Sequence, residues 1–195
     1  MEKVIYSKNR YSFYPLTAER WRDLEKLFGE RGACGGCWCM AWRLKRADFK
    51  KHSGSDNKNS LRGLVKSGEK LGILAYKDDQ VIGWCSVSPR EKFLRLENSK
   101  VLRRIDDKPV WSVSCLFIDK KFRRLGLSTL LLKSAINYCK SNGAKIIEAY
   151  PTVPYSKNIP AAFAWTGFPS SFERAGFIET ARRSKARPIM RYYVE

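Results

Sequence analysis

A strand-like run that ends in a glycine turn and opens at once into an amphipathic helix constrains this chain more than any other feature. The run is Val110–Ile118, whose density of β-branched and aromatic residues suits a central strand. The turn is Arg123-Arg124-Leu125-Gly126-Leu127-Ser128. Beyond it Leu127, Leu130, Leu131, Ala135 and Tyr138 recur at helical spacing, with Lys133, Asn137 and Lys140 on the opposite face. Asn142-Gly143 stops that helix and Ala144–Ala149 follows as a strand, which completes a β-α-β unit. A helix N-terminus presents backbone N–H groups with no intrahelical partner, and its dipole adds positive potential. Such a turn suits a phosphate or pyrophosphate, and Arg123 and Arg124 add charged donors. The spacing is neither a Walker loop nor Gly-x-Gly-x-x-Gly. The plain alternative is an ordinary basic strand-to-helix turn.

The remaining pattern is that of one domain, residues 1–195. Arg10–Leu16 reads as a strand, and Thr17 as the cap of a helix running from Ala18 to about Glu30 with Trp21, Leu24, Leu27 and Phe28 on one face. Gly32–Cys39 breaks it, Lys50–Asn59 is polar, and a second helix spans Ser60–Lys66. Leu71–Lys77 and Val81–Ser88 read as a hairpin across Asp78-Asp79-Gln80, followed by a helical turn or two within Arg90–Asn98. The stretch with Pro151, Pro154 and Pro160 reads as a flexible connection. A short helix at Ser170–Ala175 and the strands Phe177–Arg182 and Pro188–Val194 close the chain.

The stretch Leu116-Phe117-Ile118-Asp119-Lys120-Lys121-Phe122-Arg123-Arg124-Leu125-Gly126-Leu127-Ser128 resembles the acyl-CoA pyrophosphate loop of the GNAT N-acetyltransferase superfamily, with Ser128 where Gly or Ala is more usual. The order of elements resembles that family along essentially the whole chain. The resemblance implies an α/β (α+β) fold: a mixed, mostly antiparallel central sheet flanked by helices, with a splayed central strand pair. It implies a cofactor-binding core at about 110–150 and an acceptor-side segment at about 17–68. The cosubstrate it implies is acetyl-CoA, its pyrophosphate held by Arg123, Arg124, Leu125, Gly126, Leu127 and Ser128, and its pantetheine arm paired with the backbone of Leu116, Phe117 and Ile118. A backbone N–H of that strand would polarise the thioester carbonyl.

For the base, Glu148 is the candidate, as an acid inside an otherwise apolar strand; a salt-bridged or outward-facing carboxylate is the other reading. Glu91, Glu97 and the pair Asp106–Asp107 read as solvated acids. The family's last helix commonly carries Tyr-x-x-x-Gly-Phe, whose Tyr protonates the leaving thiolate. Here the stretch is Phe172-Glu173-Arg174-Ala175-Gly176-Phe177, and phenylalanine has no proton to give. Tyr150 or Tyr155 would then serve, or the thiolate would leave with help from dipoles and water.

Cys34-Gly35-Gly36-Cys37-Trp38-Cys39 invites a zinc reading, but it offers a single Cys-x-x-Cys plus Cys39, and the one histidine, His52, would have to fold back. No metal is expected, and Cys85, Cys115 and Cys139 read as small core residues. Trp38, Met40 and Trp42, with Trp84, are candidates to shape the acceptor pocket; packing the core is the alternative. The net charge of +19 exceeds what one CoA needs. It leaves open a second class of function, a non-catalytic basic module binding CoA or RNA on the same scaffold, although a solvated basic surface also accounts for it. No apolar run is long enough to span a membrane and no signal-peptide core opens the chain, so a cytoplasmic protein with reduced cysteines is expected. A dimer is compatible with the sequence, and the acceptor amine is not named by it.

Overall fold

The computed structural model describes residues 4–8, 10–51, 53–156, 159–160 and 163–195. An eight-stranded sheet forms the middle layer, with strands in the order β1-β2-β3-β4-β5-β6-β8-β7. These are β1 Tyr6–Lys8, β2 Tyr11–Pro15, β3 Gly72–Lys77, β4 Gln80–Pro89, β5 Trp111–Ile118, β6 Ile146–Ala149, β7 Ile178–Arg182 and β8 Pro188–Tyr193. Only β5 and β6 pair in parallel; the other neighbours are antiparallel. The helices are α1 Trp21–Phe28, α2 Arg46–Lys51, α3 Ser55–Lys66, α4 Leu94–Glu97, α5 Leu127–Ser141 and α6 Pro169–Glu173.

The mixed, mostly antiparallel sheet expected from the sequence is present, and so is the splay. β5 pairs with β4 from Trp111 to Ile118, but with β6 only from Trp111 to Val113. β5 also carries a bulge: Cys115 faces Ser86 and Val113 faces Val87, which leaves Ser114 as the extra residue. Bulges re-aim side chains and end pairing, and this one lies where β5 and β6 part. The long helix α5 packs one face of the sheet through Leu131, Leu132, Ala135 and Cys139, against Ile73, Ile82, Val113 and Ile147. The other face is covered by α1 and α3 through Leu24, Phe28, Leu61 and Val65, and farther along by Phe93, Leu96 and Leu102.

Several boundaries differ from the sequence pattern. The first regular helix starts at Trp21, because the Arg20 N–H donates to Thr17 O and tightens the preceding turn. α2 and β1 have no counterpart in the sequence pattern, since neither carries a clear apolar period. α3 begins at Ser55, five positions earlier than expected. Its buried Asn57 donates to Gly36 O at 3.0 Å, so a polar residue in a polar stretch ties the helix to the glycine-rich loop.

Candidate functional site

The Asp119–Gly126 turn is shaped by local rules. Asp119 accepts from the Lys121 N–H at 2.8 Å and so caps a single 3-10 turn, Lys120–Phe122. Arg123 folds back to donate from Nε to Ile118 O at 2.9 Å. Arg124 and Gly126 are both left-handed, at φ 64° and 78°. Gly126 caps α5, and a Cβ built there would meet nothing within 4 Å. The glycine is therefore needed for its backbone angle, and the space beside it is open. The first N–H groups of α5 point out of this turn without intrahelical acceptors.

That space is part of a cavity of about 1020 Å³. Its wall includes Leu116, Phe117, Ile118, Arg123, Arg124, Gly126, Leu127 and Ser128, which are all but Leu125 of the residues implicated by the sequence resemblance. Leu125 is exposed outside the wall. The turn, the free edge of β5 and the start of α5 thus meet in one cavity. Ser171 and Arg174, which the sequence reading missed, complete it: Ser171 Oγ lies 3.1 Å from Ser128 Oγ, and Arg174 adds a third guanidinium. Their spacing of three places both on one side of the last helical turns, and that was the available signal.

Trp165 was missed as well. Its carbonyl accepts the Leu116 N–H at 2.7 Å, on the strand edge left free by the splay. The Thr152 N–H donates to Gly167 O at 2.9 Å, so the 163–168 segment is stitched between β5 and the chain leaving β6. This corrects the expectation that Leu116, Phe117 and Ile118 all offer their backbone to a pantetheine arm. The Leu116 amide is already engaged. The Asp119 N–H donates to Ile82 O on β4, so alternation turns the Ile118 N–H toward the splay side. Gly167 fits because its φ is 75° and a Cβ there would lie 2.9 Å from both Leu116 Cδ1 and Phe172 Cε2.

Glu148 and Tyr150 come together, though away from the cavity. The Glu148 carboxylate is fully buried, with Oε1 accepting from Arg90 Nη1 at 2.8 Å and from Tyr150 Oη at 2.6 Å, and Oε2 accepting from Arg191 Nε at 2.8 Å. Glu97 and Asp106 pair with the same two arginines from outside. Ser112 Oγ lies 2.9 Å from the Tyr150 hydroxyl. Burial, then the negative charge of Glu148, pushes the Tyr150 phenol well above its ordinary value. A phenol that holds its proton so firmly is a poor donor to a thiolate, and neither side chain lines the cavity wall. The geometry has this cluster balance two arginines inside the sheet face instead. Tyr155 is 76% exposed, and Phe172 is a core side chain edge-on to Phe177.

Of the aromatic acceptor candidates, Trp38, Met40 and Trp84 are core residues. Trp38 packs against Trp21 and Phe28, and Trp84 donates from Nε1 to Cys39 Sγ at 3.1 Å. Left-handed turns at Trp38 and Cys39 fold the loop inward onto the sheet, and Trp84 is buried as part of β4, on the face that α1 and α3 cover. Trp42 alone is half-exposed, 5.7 Å from Trp165. Cys34 is exposed on the cavity wall while Cys37 is half-buried and Cys39 buried, so the three thiols face different surroundings. Among the described residues no group of three or more His, Cys, Asp or Glu could hold a metal; His52 lies outside them. No described helix is long and apolar enough to cross a membrane.

The family model described as the Acetyltransferase (GNAT) family matches residues 36–168. No curated protein matches the sequence. Solved structures share the fold at low identity. A ribosomal-protein-S5-alanine acetyltransferase from Vibrio fischeri is 13% identical, with a TM-score of 0.56 over 96% of this chain and 95% of that one. A putative arylalkylamine N-acetyltransferase from the yellow fever mosquito is 14% identical, with a TM-score of 0.57 over 95% of this chain and 88% of that one. The PaiA N-acetyltransferase of Thermoplasma acidophilum, in complex with coenzyme A, is 15% identical, with a TM-score of 0.51 over 94% and 99%.

Proposed function

The chain belongs to the GNAT acetyltransferase family, and we propose that it moves the acetyl group of acetyl-CoA to the amine of a small molecule or peptide. The observation that carries this reading is the cavity at the start of α5: a left-handed Gly126 with open space beside it, free helix N–H groups, and Arg123, Arg124 and Arg174 around them. Those donors suit a pyrophosphate. The cavity volume is of the size that ligand sites occupy. The structural neighbour from Thermoplasma acidophilum is a coenzyme A complex, in keeping with that assignment.

Acetyl-CoA supplies an activated acyl group. This chain orients the thioester along the free edge of β5, where the Ile118 N–H is turned toward the splay. The amine nitrogen bonds to the acetyl carbon as the carbon–sulfur bond breaks, the electron pair goes to the CoA sulfur, and the amine gives up a proton. Among the described residues lining the cavity there is no carboxylate or histidine. In this reading the proton passes to water, and the thiolate leaves toward the positive N-terminal end of α5. Glu148 and Tyr150 serve as the buried frame of the splay. Six cysteines, all free, suit a reducing compartment, and we place the protein in the cytoplasm. The test is release of CoA thiol from acetyl-CoA across a panel of amines, alongside thermal stabilisation by acetyl-CoA alone.

A further inference from the structure

On the other side of the 163–168 segment lie two arginines that no carboxylate balances among the described residues. Trp165 and Gly167 line the cofactor cavity, while the residue between them, Thr166, is buried and accepts from Arg187 Nη1 at 3.0 Å. The same nitrogen donates to Tyr150 O at 3.1 Å, which holds the guanidinium at the point where β5 and β6 part. Arg95 stands next to it, with Cζ 5.3 Å from the ring centre of Trp42, and Trp42 in turn packs on Trp165. Among the described residues Arg95 Nη1 makes only a long contact, 3.4 Å, to Ala41 O. The Trp42 indole N–H is buried and without a partner among the described residues.

The acids of the neighbourhood are committed elsewhere: Glu97 to Arg90 and Arg104, Glu148 to Arg90 and Arg191, and Asp106 to Arg191. Burial, then the charge of Arg95, lowers the Arg187 guanidinium below its ordinary value, and no carboxylate offsets this among the described residues. Half-buried cations that repel one another, beside an unused indole donor, are costly unless an anion joins them.

We infer that Arg95, Arg187 and the Trp42 indole form the subsite for an anionic group on the acceptor, so that the acceptor is an amine that also carries a carboxylate or phosphate. This rests on the acetyltransferase reading and extends it to substrate class. A guanidinium fork matches either oxyanion, and the paired Trp42 and Trp165 rings present an apolar surface beside it. The segment carrying Trp165 separates this subsite from the cofactor cavity, so the amine would reach the thioester from the face opposite the pyrophosphate. The cationic surface would draw such a substrate in.

The experiment pairs amines that differ only in the anion: an amino acid against its carboxamide, and phosphoethanolamine against ethanolamine. Thiol release from acetyl-CoA is followed for each, and binding of the N-acetylated amino acid against its amide is measured by calorimetry with and without CoA. The wild type should prefer one anionic member by about tenfold or more in kcat/KM and in affinity; the pair that responds tells carboxylate from phosphate. Arg187→Gln and Arg95→Gln should each collapse that ratio toward one. Arg95→Gln is the safeguard on folding, because Arg187 also bonds the backbone of Tyr150. Equal affinity and rate within every pair, or a preference that survives both substitutions, would overturn the inference. A carboxylate preference seen in binding, with no stabilisation by acetyl-CoA, would instead sink the acetyltransferase reading and leave the subsite standing.

Discussion

The carbonyl of Trp165 accepts the amide of Leu116 at 2.7 Å and so occupies the strand edge that the splay leaves free. One hydrogen bond thereby joins the two sides of the site: Leu116 faces the cofactor space, and Trp165 backs the aromatic wall that carries Arg95. The position of the 163–168 segment should then matter to both stability and turnover.

Gly167→Ala tests that segment. Its Cβ would sit 2.9 Å from Leu116 Cδ1 and Phe172 Cε2, at a φ of 75° that L residues resist. Strain and overpacking together should cost about 1–3 kcal/mol. Urea unfolding should show it as a lower midpoint at unchanged slope. A variant as stable as wild type would mean that the segment does not pack as described.

Glu148→Gln separates a frame from a base. Removing one partner of a buried charge network leaves Arg90 and Arg191 short of a counter-charge, a change that costs about 3–5 kcal/mol. Denaturant titration should register this loss. What protein remains folded should turn over with the same dependence on pH as wild type. A stable variant with its turnover abolished would restore Glu148 as the catalytic base.

How far the sequence announced these parts follows from what each part depends on. Val110–Ile118, the glycine turn and the period of α5 are local, and they read correctly because strand, turn and helix chemistry agree there. The cavity-lining residues from Leu116 to Ser128 all belong to that one continuous stretch. Arg90 carries no comparable signal: an arginine after a strand reads as exposed, and only its three-dimensional neighbours Glu97, Glu148 and Tyr150 make it a core residue. Trp38 and Trp84 looked like pocket walls because sequence shows aromatics without showing which way a left-handed turn aims Trp38, or that helices cover the β4 face that carries Trp84. Trp165 sits in a proline-bearing segment with no period at all, so its contact with Leu116 was invisible until the fold brought them together.

Acid should weaken the fold progressively. Asp106 is held below the usual carboxylate range by hydrogen bonds from Arg191, Glu25 by one from Lys58, and Glu179 by those from Arg182. A carboxylate whose folded pKa is depressed contributes stability that is fully present above its unfolded value of about 4 and lost as pH falls through the lower folded value. Melting temperature should therefore be level with respect to these groups near neutrality and drop below about pH 4. A melting temperature that held steady to about pH 2 would contradict these pairings.

Gly126→Trp tests the pyrophosphate site. The indole would extend into space that is open beside α5. Acetyl-CoA at a hundredfold excess over its Kd should stabilise the wild type by about 2.7 kcal/mol and the variant not at all. Gly126→Ala is the control: its methyl meets nothing, so the left-handed backbone angle alone should cost it about 1 kcal/mol. Equal acetyl-CoA shifts in Gly126→Trp and wild type would move the cofactor elsewhere.

The most direct test of acetyl transfer at this cavity is mass spectrometry of the amine after incubation with protein and acetyl-CoA, with CoA thiol counted in the same tube. An amine heavier by one acetyl group should appear in step with thiol released, in wild type and not in Gly126→Trp. Acetyl-CoA that binds and stabilises the protein while every amine, anionic or neutral, stays unmodified would contradict it.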